Sequence, residues 1–163
     1  MGQIEKFDVS SGARVMVEEL VYSTALRLDA LDFAGYMELC DQRFHYLITA
    51  YSPEIRKQMT WLEQDRAGMQ LLLNNLPKHN SDHSLLSRHM NVYAVGFSAD
   101  GKEASVVSTL QVYQTRLDGG ATELFAIGTV HDKVALTDAG ARLLDRHIKL
   151  DTRMLGIGFH IPF

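Results

Sequence analysis

Apolar residues first recur at helical spacing and later at strand spacing along this chain. Val17, Leu20, Val21, Leu28 and Leu31 fall on one helical face. Ser10, Ser11 and Gly12 offer a cap before them and Glu18 and Glu19 sit early, which predicts a first helix over Ala13 to Leu31. Asp32 can cap a second, shorter helix running through Phe33, Tyr36, Met37, Leu39 and Cys40. Phe44 to Tyr51 is rich in β-formers and predicts the first strand. Ser52-Pro53 marks a turn, and Lys57 to Glu63 alternates as a short strand with Met59 and Trp61 on one face. Asp65 opens a further helix whose Met69, Leu72, Leu73 and Leu76 share a face and which ends at Pro77, before a polar loop from Lys78 to Ser84.

From Leu85 the period changes. Leu86 to Phe97, Ala104 to Leu117, Thr122 to Val134 and Arg142 to Leu150 read as strands. Turns at Ala99-Asp100-Gly101, Asp118-Gly119-Gly120 and Asp138-Ala139-Gly140 separate them. Helices first and long antiparallel strands second is an α+β order. Strands of this length must twist and curl, so helices on the concave face would leave a cone-shaped interior.

Composition narrows the possibilities. With 163 residues, 46% hydrophobic and 22% charged, the chain is expected to form a single domain over 1–163 with an ordinary core. Sixteen basic residues are dispersed among twenty acidic ones for a net charge of -4, which argues against a nucleic-acid partner. No window approaches eighteen consecutive apolar residues and no basic segment followed by an apolar run opens the sequence, so neither a membrane span nor an export signal is expected. The single cysteine, Cys40, cannot form an internal disulfide and reads as part of a buried helix, which fits a reducing, cytoplasmic setting.

Four segments in this order carry a family resemblance. They are Glu18 to Leu31 leading into Asp32-Phe33, then Trp61-Leu62-Glu63-Gln64-Asp65-Arg66, then Leu86-Ser87-Arg88-His89, and finally Leu143 to Asp151. With the element order, they make the chain resemble the small (β) subunit of aromatic-ring-hydroxylating dioxygenases of the benzoate dioxygenase kind, over nearly its whole length. The resemblance implies the cystatin-like fold shared by nuclear transport factor 2 and ketosteroid isomerase. It also implies a structural, non-catalytic subunit that packs on a Rieske-type large (α) subunit in an α3β3 assembly and forms a homotrimer in isolation. The Rieske 2Fe-2S cluster and mononuclear iron would lie in that partner, and the substrate would be an aromatic acid such as benzoate.

Several constellations carry chemistry of their own. A Rieske centre needs two cysteines and two histidines, and one cysteine cannot supply it, so no cofactor is expected in this chain. His79 and His83 are spaced as ligands on a helix with His89 close by, but the polar loop gives no helix to fix them and ordinary surface histidines are the alternative. Cystatin-like isomerases and dehydratases build an acid-base pair inside the cone, for which Asp41, His45, Tyr113, His131 and Asp132 are candidates, structural or interface roles being the alternative. Trp61, Phe44, Tyr46 and Tyr93 could stack an aromatic ligand or simply fill the core. Arg88, Arg142, Arg146 and Arg153 are candidates for inter-subunit ion pairs, against solvated strand faces. Finally, Met154 to Phe163 carries Leu155, Ile157, Phe159, Ile161 and Phe163, which predicts an extended segment buried on its own sheet or across a subunit boundary.

Overall fold

The computed structural model describes residues 4–79, 82–155 and 162–163, the side chains of 4–11 and 79 excepted. Three helices precede or interrupt six strands: α1 (Ile4–Asp29), α2 (Phe33–Glu38), β1 (Cys40–Ser52), β2 (Lys57–Asp65), α3 (Arg66–His79), β3 (Leu85–Phe97), β4 (Glu103–Thr115), β5 (Thr122–Thr137) and β6 (Gly140–Leu150). The strands form one sheet in the order β2-β1-β6-β5-β4-β3. All neighbours are antiparallel except β1 and β6, which run parallel and join the two halves of the chain. This is the α+β, mainly antiparallel architecture that the periodicity predicts.

Local chemistry sets the element ends. Leu31 takes a left-handed φ of 56°, so α1 stops at Asp29, short of the predicted end. The Asp32 carboxylate then accepts the Gly35 N–H at 2.9 Å and caps α2. Cys40 is buried, but it opens β1 instead of closing the helix. Asp65 accepts the Gly68 N–H at 2.7 Å and caps α3, which continues through Pro77 to His79. A proline so near a helix end removes one hydrogen bond in a turn that has few left to lose.

The concave face of the sheet and the helices enclose the core. Val17, Leu20, Val21 and Leu28 of α1 and Met69, Leu73 and Leu76 of α3 meet Phe44, Tyr46, Ile48, Val106, Leu110, Val130, Leu143 and Ile148. Strand irregularities at Ile48/Thr49, Val92/Ala94, Val112/Tyr113 and Lys133/Val134 bend the sheet around them. The first of these corrects the reading of β2. Ile48 pairs with Leu62 and Thr49 with Thr60, leaving Trp61 as the extra residue, exposed, while Met59 and Leu62 pack on the core.

Candidate functional site

Strand register places Val106, Asp132, Arg146 and Tyr46 side by side on the inner face. The Arg146 guanidinium donates from Nε and Nη2 to the two Asp132 carboxylate oxygens, each at 2.8 Å. Its Nη1 reaches the Thr24 hydroxyl on α1 at 2.9 Å, and Thr24 donates to the Val21 carbonyl. Both charged side chains are sealed, at 1% and 0% exposure. Burial works to lower the Arg146 pKa, but the charge and hydrogen bonds of Asp132 outweigh it and leave the value raised. Among the described residues, the centre of the cone therefore holds Asp132 as one half of a satisfied ion pair.

Around this pair lie Tyr36, Phe44 and Tyr46, with ring centroids 6.4 and 6.3 Å apart in succession. The hydroxyls of Tyr36 and Ser108 are buried with no hydrogen-bond partner among the described residues. Burial raises the Tyr36 and Tyr46 pKa values and pushes the Cys40 thiol up to about 12, so none of them is a nucleophile near neutrality. Cys40 Sγ lies 3.4 Å from the Tyr36 carbonyl.

The other acid-base candidates lie elsewhere. Strand alternation turns His131 to the outer face beside inward-facing Asp132, opposite His147 on β6. Burial lowers the pKa of both histidines, with Lys149 adding to it. His45 also faces outward, with Nδ1 2.9 Å from Asp145 Oδ2 and Nε2 3.0 Å from Glu63 Oε1. Its pKa is raised by the hydrogen bond to Glu63 and then that to Asp145. Asp41 accepts the Arg43 N–H at the start of β1, and Tyr113 meets the His89 ring edge-on at 5.2 Å. The five residues thus do not share one cavity. The stacking candidates are also divided, Phe44 and Tyr46 in the core and Trp61 and Tyr93 exposed.

A second buried network fixes the chain's last residues. Arg88 donates from Nη1 to Asp29 at 2.6 Å and from Nη2 to the Pro162 carbonyl at 2.7 Å, while its backbone N–H also reaches Asp29. The Phe163 N–H donates to the Tyr46 hydroxyl at 2.8 Å, and the Phe163 ring packs beside Phe125. Arg88 and Arg146 thus spend their guanidinium groups inside the chain, whereas Arg153 pairs with Glu54 at the surface and Arg142 reaches the Ala141 carbonyl. Leu155 packs against the core and Phe163 is buried in it, which places both ends of the tail on their own subunit; Ile157, Phe159 and Ile161 lie outside the described residues.

The sequence reading missed Thr24, Tyr36, Glu63 and Arg66. Arg66 Nη1 donates to the carbonyls of Met37 and Cys40, each at 2.9 Å, so the residue after β2 closes the end of α2. A half-buried arginine with several backbone partners leaves no periodic signal, but Arg66 does lie in one of the segments that carried the resemblance.

No group of three or more His, Cys, Asp or Glu side chains among the described residues is arranged to hold a metal. His83 is exposed and His89 bonds to Ser87, while the side chain of His79 is outside the described set. A Rieske cluster does not fit this chain, whose only cysteine is buried on the inner face of the cone. Among the described residues, no helix is long and apolar enough to cross a membrane.

Known proteins agree with this architecture. Over 84% of its length, the β subunit of methanesulfonate monooxygenase hydroxylase from Methylosulfonomonas methylovora is 35% identical to 90% of this chain. The β subunit of 2-aminobenzenesulfonate 2,3-dioxygenase from Alcaligenes sp. is 32% identical, covering 91% of this chain and 97% of that protein. A Novosphingobium aromaticivorans protein described as the β subunit of an aromatic-ring-hydroxylating dioxygenase superposes with a TM-score of 0.82 at 19% identity, over 95% of this chain and 99% of that one. A nuclear transport factor 2-like protein with a cystatin-like fold, from the same organism, superposes at 0.66 and 14% identity over 94% and 92% of the two chains. These likenesses show the cystatin-like fold. Residues 23–156 match the family described as the ring hydroxylating beta subunit, and the chain belongs to that family.

Proposed function

We propose that this chain is the structural, non-catalytic small subunit of a Rieske non-heme iron oxygenase, docking on a large subunit that holds the 2Fe-2S cluster and the mononuclear iron. The observation that carries the non-catalytic role is the Asp132–Arg146 pair. Of the five acid-base candidates, Asp132 is the one inside the cone, and it is held bidentately by a guanidinium, with both side chains sealed from water. A general base needs a free lone pair within reach of a substrate proton.

The proposed assembly is α3β3, with this chain a homotrimer when isolated and the complex cytoplasmic. The proposed substrate is an organic acid. The resemblance pointed to an aromatic carboxylate such as benzoate, whereas the two relatives are named for sulfonates, one aliphatic and one aromatic. Both kinds share a compact anionic group that the large subunit would recognise.

Co-production with the cognate large subunit tests the reading. Asp41→Asn and His131→Gln are expected to leave turnover of the reconstituted oxygenase within about twofold, since a general base contributes about a hundredfold or more. A hundredfold loss with assembly preserved would overturn the structural role. An isolated chain that isomerises or dehydrates a carbonyl substrate would do the same.

A further inference from the structure

The two edges of the sheet are held differently. At the β3 edge, α1 supplies side chains to outward-facing amides: Asp29 accepts from the Arg88 N–H and the Tyr22 hydroxyl accepts from the Val92 N–H at 3.3 Å. Among the described residues, β2 pairs only with β1, and its ladder is interrupted by the bulge at Trp61. On the outer face, the side-chain hydrogen bonds that join β2 to the rest of the sheet run through His45, from Glu63 on β2 to Asp145 on β6.

Both ring nitrogens of His45 face carboxylate oxygens at hydrogen-bond distance. A carboxylate can only accept, so each nitrogen must carry a proton for both bonds to exist. A neutral imidazole has one N–H, and its other nitrogen would present a lone pair to a carboxylate. We propose that His45 is a proton-dependent fastener of the β2 edge: as an imidazolium it ties β2 to β6 across β1, and on losing a proton it releases one carboxylate and lets β2 loosen.

The surrounding charges bear on this fastener. From β2 come Glu63 and Asp65, the latter the register partner of His45. β6 contributes Asp145 and His147, β5 contributes Lys133 opposite Asp145, and β1 itself carries Asp41 and Arg43. The carboxylates nearest the ring hold its pKa above the ordinary 6.5. Stability from the fastener is therefore complete below that ordinary value and is lost as pH rises through the raised one. Because Arg66 follows β2 directly and holds the end of α2, loosening would pass from the sheet edge to the α2–β1 junction.

The only tryptophan, Trp61, sits on β2 and reports on it directly. A pH titration of wild-type Trp61 fluorescence should show a step above pH 6.5 that coincides with the His45 ring titration seen by NMR. His45→Gln should abolish the step, Glu63→Gln should move it to lower pH, and His131→Gln should leave it in place. Should His45→Gln fail to fold, the Glu63→Gln shift and the wild-type NMR titration still decide the matter. A His45 ring that titrates at or below the free value, or a fluorescence step unmoved by Glu63→Gln, would overturn the proposal.

Discussion

Arg146 and Asp132 form a buried pair whose energetics depend on both members being present. Two 2.8 Å bonds join them, and the Thr24 hydroxyl takes a third guanidinium hydrogen. Arg146→Met alone would leave a carboxylate sealed and unpaired, and removing one partner of such a pair costs about 3–5 kcal/mol. Replacing both, as in Asp132→Leu with Arg146→Met, is expected to be nearly neutral. Urea denaturation of the two variants measures the difference, and equal losses would mean that the pair is not a unit. His131 and His147 add a dependence opposite in sense to that of His45. Their pKa values are lowered, so their neutral forms contribute stability that is present above 6.5 and lost as pH falls through the lowered values.

Among the elements, β5 and β6 leave no room for a side chain at Gly128. A Cβ there would run into the Lys149 carbonyl oxygen and come within 2.9 Å of the Leu150 Cα. Those are backbone atoms in the strand opposite, so Gly128→Val must push β6 away or break the register. A loss of about 1–3 kcal/mol is expected, and a thermal melt unchanged from wild type would show that the sheet absorbs the side chain freely. The order of elements was legible in the sequence because each strand of the meander alternates and each turn carries glycine. The β1–β6 pairing was not, since it joins His45 to Asp145 and no local pattern encodes a partner that distant. Trp61 was placed on the wrong face because a bulge shifts the alternation by one residue. Of the candidate site, Asp132 and Arg146 were both named from sequence, one as a pocket acid and the other for an inter-subunit ion pair, but their pairing with each other is visible only once register puts the two opposite each other.

At the scale of the whole molecule, the final two residues belong to the core. Phe163 is 2% exposed, is bonded through its N–H to Tyr46, and follows a carbonyl held by Arg88. Phe163→Ala is expected to cost about 3–5 kcal/mol, the range for emptying a buried aromatic site. Truncation after Arg153 should cost at least as much and expose Phe125 and Tyr46 to solvent. Calorimetry on both variants checks this, and a truncated chain as stable as wild type would show that the slot refills on its own. The parallel pairing of β1 with β6 has a consequence in time as well as in space. During synthesis β1 leaves the ribosome early with only β2 beside it, and its other neighbour is not made until residues 140–150 appear. The α1 side chain Thr24 likewise waits for Arg146. Such long-range closures are slow because the loop entropy is lost before the contacts form. The nascent chain therefore passes most of its synthesis with β1 and α1 unable to complete the core, a stage at which a chaperone would find its substrate.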